Sequence, residues 1–167
     1  MNDLSYCFRI AEWGDAEQVL SLYRAAKGGE FCVWNENYPT SLEIEQDLST
    51  GNLYVMTLGN RIIGAISIVP ENELDHLRCW SYKDGKEIAR VVIDKAYQGR
   101  GLSFKMVQRV ESILREKGHM SIRLSVVKSN IPAYKTYTKA GFAVVGEAQM
   151  YGNDYYLMDK VIDTTSL

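Results

Sequence analysis

The sequence holds few of the residues that build unusual frameworks: three prolines, three cysteines and two histidines in 167 residues. Pro39, Pro70 and Pro132 are scattered, so no proline-rich linker divides the chain, and no repeat or low-complexity segment is present. Cys7, Cys32 and Cys79 are odd in number and form no C-x-x-C pair, which excludes a complete disulfide set and gives no metal-ligand spacing. Reduced thiols, and so a cytoplasmic location, are the simplest reading. Charge of one sign is lacking as well: the net charge is −2 and the pI about 5.7, which gives no electrostatic case for nucleic acid. No basic, apolar, small-residue leader pattern opens the sequence, and no apolar run is long enough to cross a bilayer, so no membrane partner is expected. Two nucleotide motifs are absent. There is no G-x-x-x-x-G-K-(S/T), and Phe104 stands where G-x-G-x-x-G needs its third glycine.

Apolar residues are plentiful, at 46%, with 11% aromatic, enough to bury a substantial core; the length suits one domain over residues 1–167. Ser5 to Ile10 reads as a strand. Gly14-Asp15 caps a helix carrying Val19, Leu20, Leu22 and Tyr23, which Lys27-Gly28-Gly29 stops. Phe31 to Pro39 is an aromatic loop, and Thr40-Ser41-x-Glu43 caps a short helix ended by Gly51. Leu53–Leu58 and Arg61–Val69 form a hairpin about Gly59-Asn60. Pro70 to Gly85 reads as a polar, irregular loop. Lys86 to Asp94 is a strand whose Val91-Val92-Ile93 run predicts burial on both faces. A helix from Gly101 to about Lys117, a strand over Ser121–Val126, a helix from Asn130 to Gly141, and final strands over Phe142–Gly146 and Asn153–Ile162 complete the order. Hairpin, strand, helix, strand, helix and two strands predict a mixed α/β sheet.

The segment Ile88 to Phe142 carries the chemistry. A strand runs into Gln98-Gly99-Arg100-Gly101-Leu102-Ser103, and that turn opens a helix with Leu102, Met106, Val107, Val110, Ile113 and Leu114 on one face. Backbone N–H groups then converge at a positive helix end, which suits a phosphate or pyrophosphate. Gly99 and Gly101 let the main chain approach closely, and Arg100 adds charge. Asn130, Ala133, Tyr137, Gly141 and Phe142 follow.

The pattern Q-x-x-G-x-(G/A) followed by N-x-x-A-x-x-x-Y-x-x-x-G-F resembles the GNAT superfamily of acyl-CoA-dependent N-acetyltransferases. Gln98, Gly101, Asn130, Ala133, Tyr137, Gly141 and Phe142 carry the resemblance; Ser103 departs from it in place of Gly or Ala. The resemblance implies a mixed, mostly antiparallel sheet flanked by helices, with a V-shaped splay between the fourth and fifth strands. It also implies acetyl-CoA as co-substrate and no metal. The co-substrate would be held by the bulged main chain of Val91, Val92 and Ile93, by the turn residues Gln98, Gly99, Arg100, Gly101, Leu102 and Ser103, and by Asn130, Ala133 and Tyr137.

By the same resemblance Tyr137 is the acid that protonates the leaving thiolate, with Tyr134 one turn earlier as a geometric rival. Glu87, eleven residues before Gln98, is the candidate base that removes a proton from an amine of pKa near ~10. Glu71, Glu73, Asp75 and His76 are rivals, a water chain is another, and a solvated carboxylate at a strand end is the bland reading of Glu87. His119 reads as structural or exposed. The cysteines lie outside the motif, which disfavours an acyl-cysteine route and favours direct attack in a ternary complex. Trp34, Tyr38 and Trp80, with Tyr82, lie on loops that would wall an acceptor pocket. The acceptor expected is a small-molecule primary amine. A protein lysine or N-terminus as acceptor, and a non-catalytic acyl-CoA sensor, are the alternatives. The last strands could also pair with a second copy in a homodimer.

Overall fold

The computed structural model describes residues 5–70 and 73–162. Strands β1 (Tyr6–Ile10), β2 (Leu53–Leu58), β3 (Arg61–Val69), β4 (Gly85–Ile93), β5 (Ser121–Val127), β6 (Ala143–Met150) and β7 (Asn153–Val161) join one sheet in the order β1-β2-β3-β4-β5-β7-β6. The helices are α1 (Ala16–Ala26), α2 (Ser41–Thr50), α3 (Leu102–Glu116) and α4 (Ile131–Lys139). The class is the mixed α/β one expected from the element order: β4 and β5 are parallel, and β1–β2, β2–β3, β5–β7 and β6–β7 are antiparallel.

The chain forms two compact units. One holds the residues up to Ile68 together with Arg90–Met106; the other holds Val69–Ala89 and the residues from Val107 onward. In the first, Val19, Leu22 and Tyr23 of α1 and Ile44 of α2 pack with Leu53, Val55, Ile62, Ala65 and Val92 of the strands. Helix α2 begins where its sequence says it should: the Thr40 hydroxyl accepts from the Leu42 N–H at 3.2 Å, and the Glu43 carboxylate accepts from the Thr40 N–H at 2.7 Å. Gly51 ends it in the left-handed conformation, φ 70°. In the second unit Val107, Val110 and Leu114 of α3, Ile122, Leu124 and Val126 of β5, Phe142, and Leu157 and Met158 of β7 are buried. The parallel register pairs Gly85–Glu87 with Ser121–Arg123, while β5 pairs with β7 along its whole length to Val127.

Three readings change. Strand β6 runs to Met150 rather than stopping at Gly146, because β7 pairs with Glu147–Met150 residue for residue; that partner is invisible in a short polar stretch. Of the Val91-Val92-Ile93 run only Val92 is buried, and Val91 and Ile93 are half-buried. The cause sits one residue earlier: Arg90 has φ 52°, a left-handed residue inside a strand, and it breaks the extended repeat. The segment Pro70–Gly85, read as irregular, holds a 3₁₀ turn at Glu73–His76 and is tied down by a network described below. Glu71 lies outside the described residues, as does the side chain of Glu73.

Candidate active site

In the first unit the turn Gln98–Ser103 takes the form its glycines allow. Gly99 and Gly101 have φ 79° and 72°, values that cost any other residue about 1–2 kcal/mol. No atom stands within 4 Å of where a Cβ would project from either glycine. Gln98, Gly99, Arg100 and Gly101 are exposed, Ser103 is half-buried, and Leu102 turns into the core. The Lys105 N–H donates to the Gly101 carbonyl at 3.1 Å, so the amides just ahead of it lie before the first helical bond of α3. The Gln98 side chain folds back, donating to the Ile93 carbonyl at 3.3 Å. Arg100 lies over the Tyr97 ring at 5.1 Å, and Lys105 over Tyr6 at 5.7 Å. Lys105 is a second cation beside the turn that sequence reasoning missed. Its helical spacing marks it only as an exposed residue of the first turn.

The kink in β4 is held by its own side chain. Arg90 donates to both carboxylate oxygens of Asp47, at 2.9 and 2.8 Å, and to the Tyr38 hydroxyl at 3.0 Å. Ser67 donates to the same carboxylate at 2.7 Å. The Arg90 and Asp47 side chains are 9% and 2% exposed. Burial opposes the guanidinium charge, but Tyr38 and Asp47 outweigh it and hold Arg90 above the usual arginine value. A non-glycine residue at φ 52° costs about 1–2 kcal/mol, and charge-assisted hydrogen bonds from one guanidinium nitrogen to both Asp47 oxygens offset a cost of that size. Of the loop aromatics here, Trp34 meets Tyr23 edge-on at 5.5 Å and packs on the core, while Tyr38 is 40% exposed.

In the second unit α4 places Tyr137. Asn130 caps the helix, its side-chain oxygen accepting from the Ala133 N–H at 3.2 Å, and Pro132 fits the first turn. Gly141, at φ 97°, ends the helix, so that the Phe142 N–H returns to the Tyr137 carbonyl at 3.0 Å. Phe142 then meets the Tyr137 ring edge-on at 5.9 Å. The tyrosine is half-buried by area, yet burial around its hydroxyl pushes the phenol up to about 12. Tyr134 rests on Tyr156 at 5.3 Å, which accounts for that ring as packing.

Glu87 is 7% exposed, so it is no solvated strand-end carboxylate. It is paired in register with Arg123 of β5, which is paired in turn with Asp159 of β7, so the three side chains form a row on one face of the sheet. Arg123, 1% exposed, organises the Pro70–Gly85 loop. It donates to Asp75 at 3.1 Å and to the carbonyls of Tyr82 and Lys83 at 2.7 and 3.2 Å, and lies 4.9 Å from the centre of the Trp80 ring. The Trp80 indole N–H is committed to the Leu74 carbonyl at 2.7 Å, and Asp159 accepts from the Ser81 N–H and hydroxyl at 2.7 and 2.9 Å. A Cβ on Gly85 would collide with the Arg123 guanidinium. Trp80 therefore serves the loop's own packing. His76 is exposed, and His119 is 3.7 Å from Asp84. Among the described residues no group of three or more His, Cys, Asp or Glu side chains is placed to hold a metal, and no helix is long and apolar enough to cross a membrane.

Tyr23, fully buried, also has its phenol pushed up to about 12, chiefly by burial. Above pH ~10 the unfolded chain loses these phenolic protons while the folded chain keeps them, so stability falls as pH rises from ~10 towards 12. Each tyrosine contributes up to about 2.7 kcal/mol to that loss. Thermal melts between pH 9.5 and 11.5 are expected to show a falling midpoint, with a shallower fall for Tyr23→Phe; equal slopes would contradict the assignment.

A strand kinked by a left-handed residue, a double-glycine turn heading a helix, and a tyrosine set by a helix-ending glycine all stand in the segment Ile88 to Phe142 that carries the resemblance to the GNAT superfamily. The family model "Acetyltransferase (GNAT) family" matches residues 16–142, and the chain belongs to this family of acetyl-CoA-using acyltransferases. Solved structures agree on the fold. The acetyltransferase of GNAT family from Streptococcus pneumoniae superposes with TM-score 0.73 at 23% identity, covering 95% of this chain and 99% of that one. The yncA protein of Salmonella typhimurium, solved with its cofactor acetyl-CoA, gives 0.75 at 18% identity, covering 98% and 97%. The ribosomal-protein-alanine N-acetyltransferase from Brucella melitensis gives 0.75 at 19%, covering 93% and 99%. No curated protein matches the chain.

Proposed function

We propose that this chain transfers the acetyl group of acetyl-CoA to a small-molecule primary amine by direct attack. The observation that carries the reading is the exposed turn Gln98–Ser103, with two left-handed glycines, open space above both, and the cations of Arg100 and Lys105 beside it. Its amides hold the coenzyme's diphosphate. The main chain of Val91, Val92 and Ile93 takes the pantetheine and thioester, with the Val91 amide donating to the carbonyl oxygen as negative charge develops there. Asn130 and Ala133, at the start of α4, complete the coenzyme side.

The chemistry needs three proton events. Glu87 accepts a proton from the ammonium form of the acceptor, freeing its lone pair. Nitrogen attacks the thioester carbon, a C–N bond forms, and the C–S bond breaks. The Tyr137 hydroxyl donates a hydrogen bond to the departing sulfur, and the second nitrogen proton, shed as the amide forms, passes to the thiolate. Tyr38 offers its exposed face to the acceptor, and Trp34 packs on the core of the same unit. Glu87 stands in the cross-strand row with Arg123 and Asp159.

Titration calorimetry with acetyl-CoA, followed by free-thiol detection across an amine panel, tests the reading. Binding with transfer to an amine is expected. Binding without transfer to any small amine, with label from acetyl-CoA appearing on proteins instead, moves the acceptor class to protein. Binding with no transfer at all leaves a sensor. Gly101→Val should weaken acetyl-CoA binding by about tenfold or more, because a branched residue resists φ 72° and its side chain enters the diphosphate space. Glu87→Gln should remove from the pH dependence of kcat/KM the rise with pH that reports ionisation of the base; an unaltered profile assigns the proton to another group.

A further inference from the structure

Beyond the roles assigned above, the kink of β4 has a builder of its own. Arg90 is left-handed at φ 52°, in a strand position that glycine would occupy without strain. Its side chain explains the choice. One guanidinium nitrogen, Nη2, donates to both carboxylate oxygens of Asp47 of α2 at 2.9 and 2.8 Å, and the other, Nη1, donates to the Tyr38 hydroxyl at 3.0 Å, so the two arms fork between α2 and the loop. Asp47 is fixed in turn by the Ser67 hydroxyl of β3 at 2.7 Å. One side chain thus joins the kinked strand, helix α2, its neighbour β3 and the exposed tyrosine of the Phe31–Pro39 loop. The pair is almost fully buried, so its geometry is set by the protein rather than by water. Val91 follows Arg90 directly, and the dihedrals of Arg90 decide where the Val91 amide points.

We infer that Arg90 is a positioning residue for acetyl transfer: locked by Asp47 and tied to Tyr38, it holds the β4 kink that aims the Val91 amide at the thioester oxygen, and it links that aim to the aromatic loop. The inference rests on the proposed role of the Val91 amide. It concerns this chain's own lock, an arginine whose two arms fork between a buried aspartate and a tyrosine, rather than the kink itself. Lysine cannot replace the fork, since one ammonium nitrogen cannot hold both positions that Nη2 takes on Asp47 and Nη1 takes on Tyr38.

The test is isotope-edited infrared spectroscopy of acetyl-CoA labelled with ¹³C at the thioester carbonyl, bound to the wild-type chain and to two variants. The double change Arg90→Gln with Asp47→Asn removes both buried charges and leaves a neutral pair able to hydrogen-bond. Arg90→Lys keeps the charge and loses the fork, and serves if the double variant does not fold by circular dichroism. In the wild type the carbonyl band is expected below that of free acetyl-CoA, as a hydrogen-bonded carbonyl requires. In the variants it should return by more than half towards the free position, with acetyl-CoA affinity kept within about threefold. A purely structural pair would leave the band unmoved. A shifted wild-type band that persists unchanged in whichever variant is folded overturns the role of Arg90 and spares the Val91 reading. A wild-type band at the free position removes the Val91 amide from the chemistry and takes this inference with it.

Discussion

Tyr137→Phe is expected to lower kcat by about 10²–10⁴-fold while acetyl-CoA affinity stays within about threefold. The asymmetry follows from what the change removes. The ring remains, with its edge contact to Phe142, so the end of α4 and its glycine stop are undisturbed. Only the hydroxyl is lost, and it matters when sulfur departs with its electron pair. A phenol pushed up to about 12 keeps its proton through the neutral and mildly alkaline range, so the acid is loaded at every working pH. It is also a weaker acid than a thiol of pKa near ~8.5, so complete transfer to the thiolate is uphill. The donor therefore stabilises the leaving sulfur through a hydrogen bond, and the proton count closes as the amine releases its own. Steady-state kinetics paired with calorimetry separate the terms: a variant with wild-type kcat would remove Tyr137 from the mechanism, and one with lost affinity would make it a binding residue.

Arg123→Ala should cost about 3–5 kcal/mol of stability, the range for removing one member of a buried charged pair. For a chain of this length that is a drop of roughly 6–20 °C in thermal midpoint. The guanidinium leaves behind two carbonyls, Tyr82 and Lys83, and the Asp75 carboxylate that it satisfied, together with a space beneath Gly85 and Trp80. The loss is expected to spread along the Pro70–Gly85 loop before it reaches the rest of the unit, since that loop wraps the side chain. Hydrogen exchange should show the loop amides losing protection first, and the acceptor kcat/KM should fall further than acetyl-CoA affinity. An unchanged melting midpoint would show that the loop has another anchor. Arg123→Met, which fills much of the volume without the charge, should recover part of the stability and none of the carbonyl bonds.

Much of the site is legible because its signals are local. A helix that must start beside a turn carries two glycines at Gly99 and Gly101, and both prove left-handed. The capping box at Thr40 and Glu43, the stop at Gly51, the hairpin about Gly59-Asn60 and the α4 frame of Asn130, Pro132 and Gly141 need only neighbours within a few residues. Such rules concern backbone dihedrals and orphan amides, which a short window of sequence dictates.

What escaped the sequence is held by partners far along the chain. Glu87 reads as an exposed strand end until its register against Arg123 buries it. The polar loop before β4 reads as irregular until one arginine, 40 or more residues further on, supplies hydrogen bonds to it. Val91 and Ile93 read as core until the left-handed Arg90 turns the strand, and nothing near Arg90 in sequence announces that conformation; its cause is Asp47, 43 residues away. The sequence alone thus determined the element order and the double-glycine turn, because these depend on local dihedral preferences and apolar periodicity, and its motif resemblance pointed to the family. Tertiary structure decided which charges are buried, which aromatics are spent on packing, and where β4 bends. Those outcomes depend on side chains that meet only when distant strands come into register.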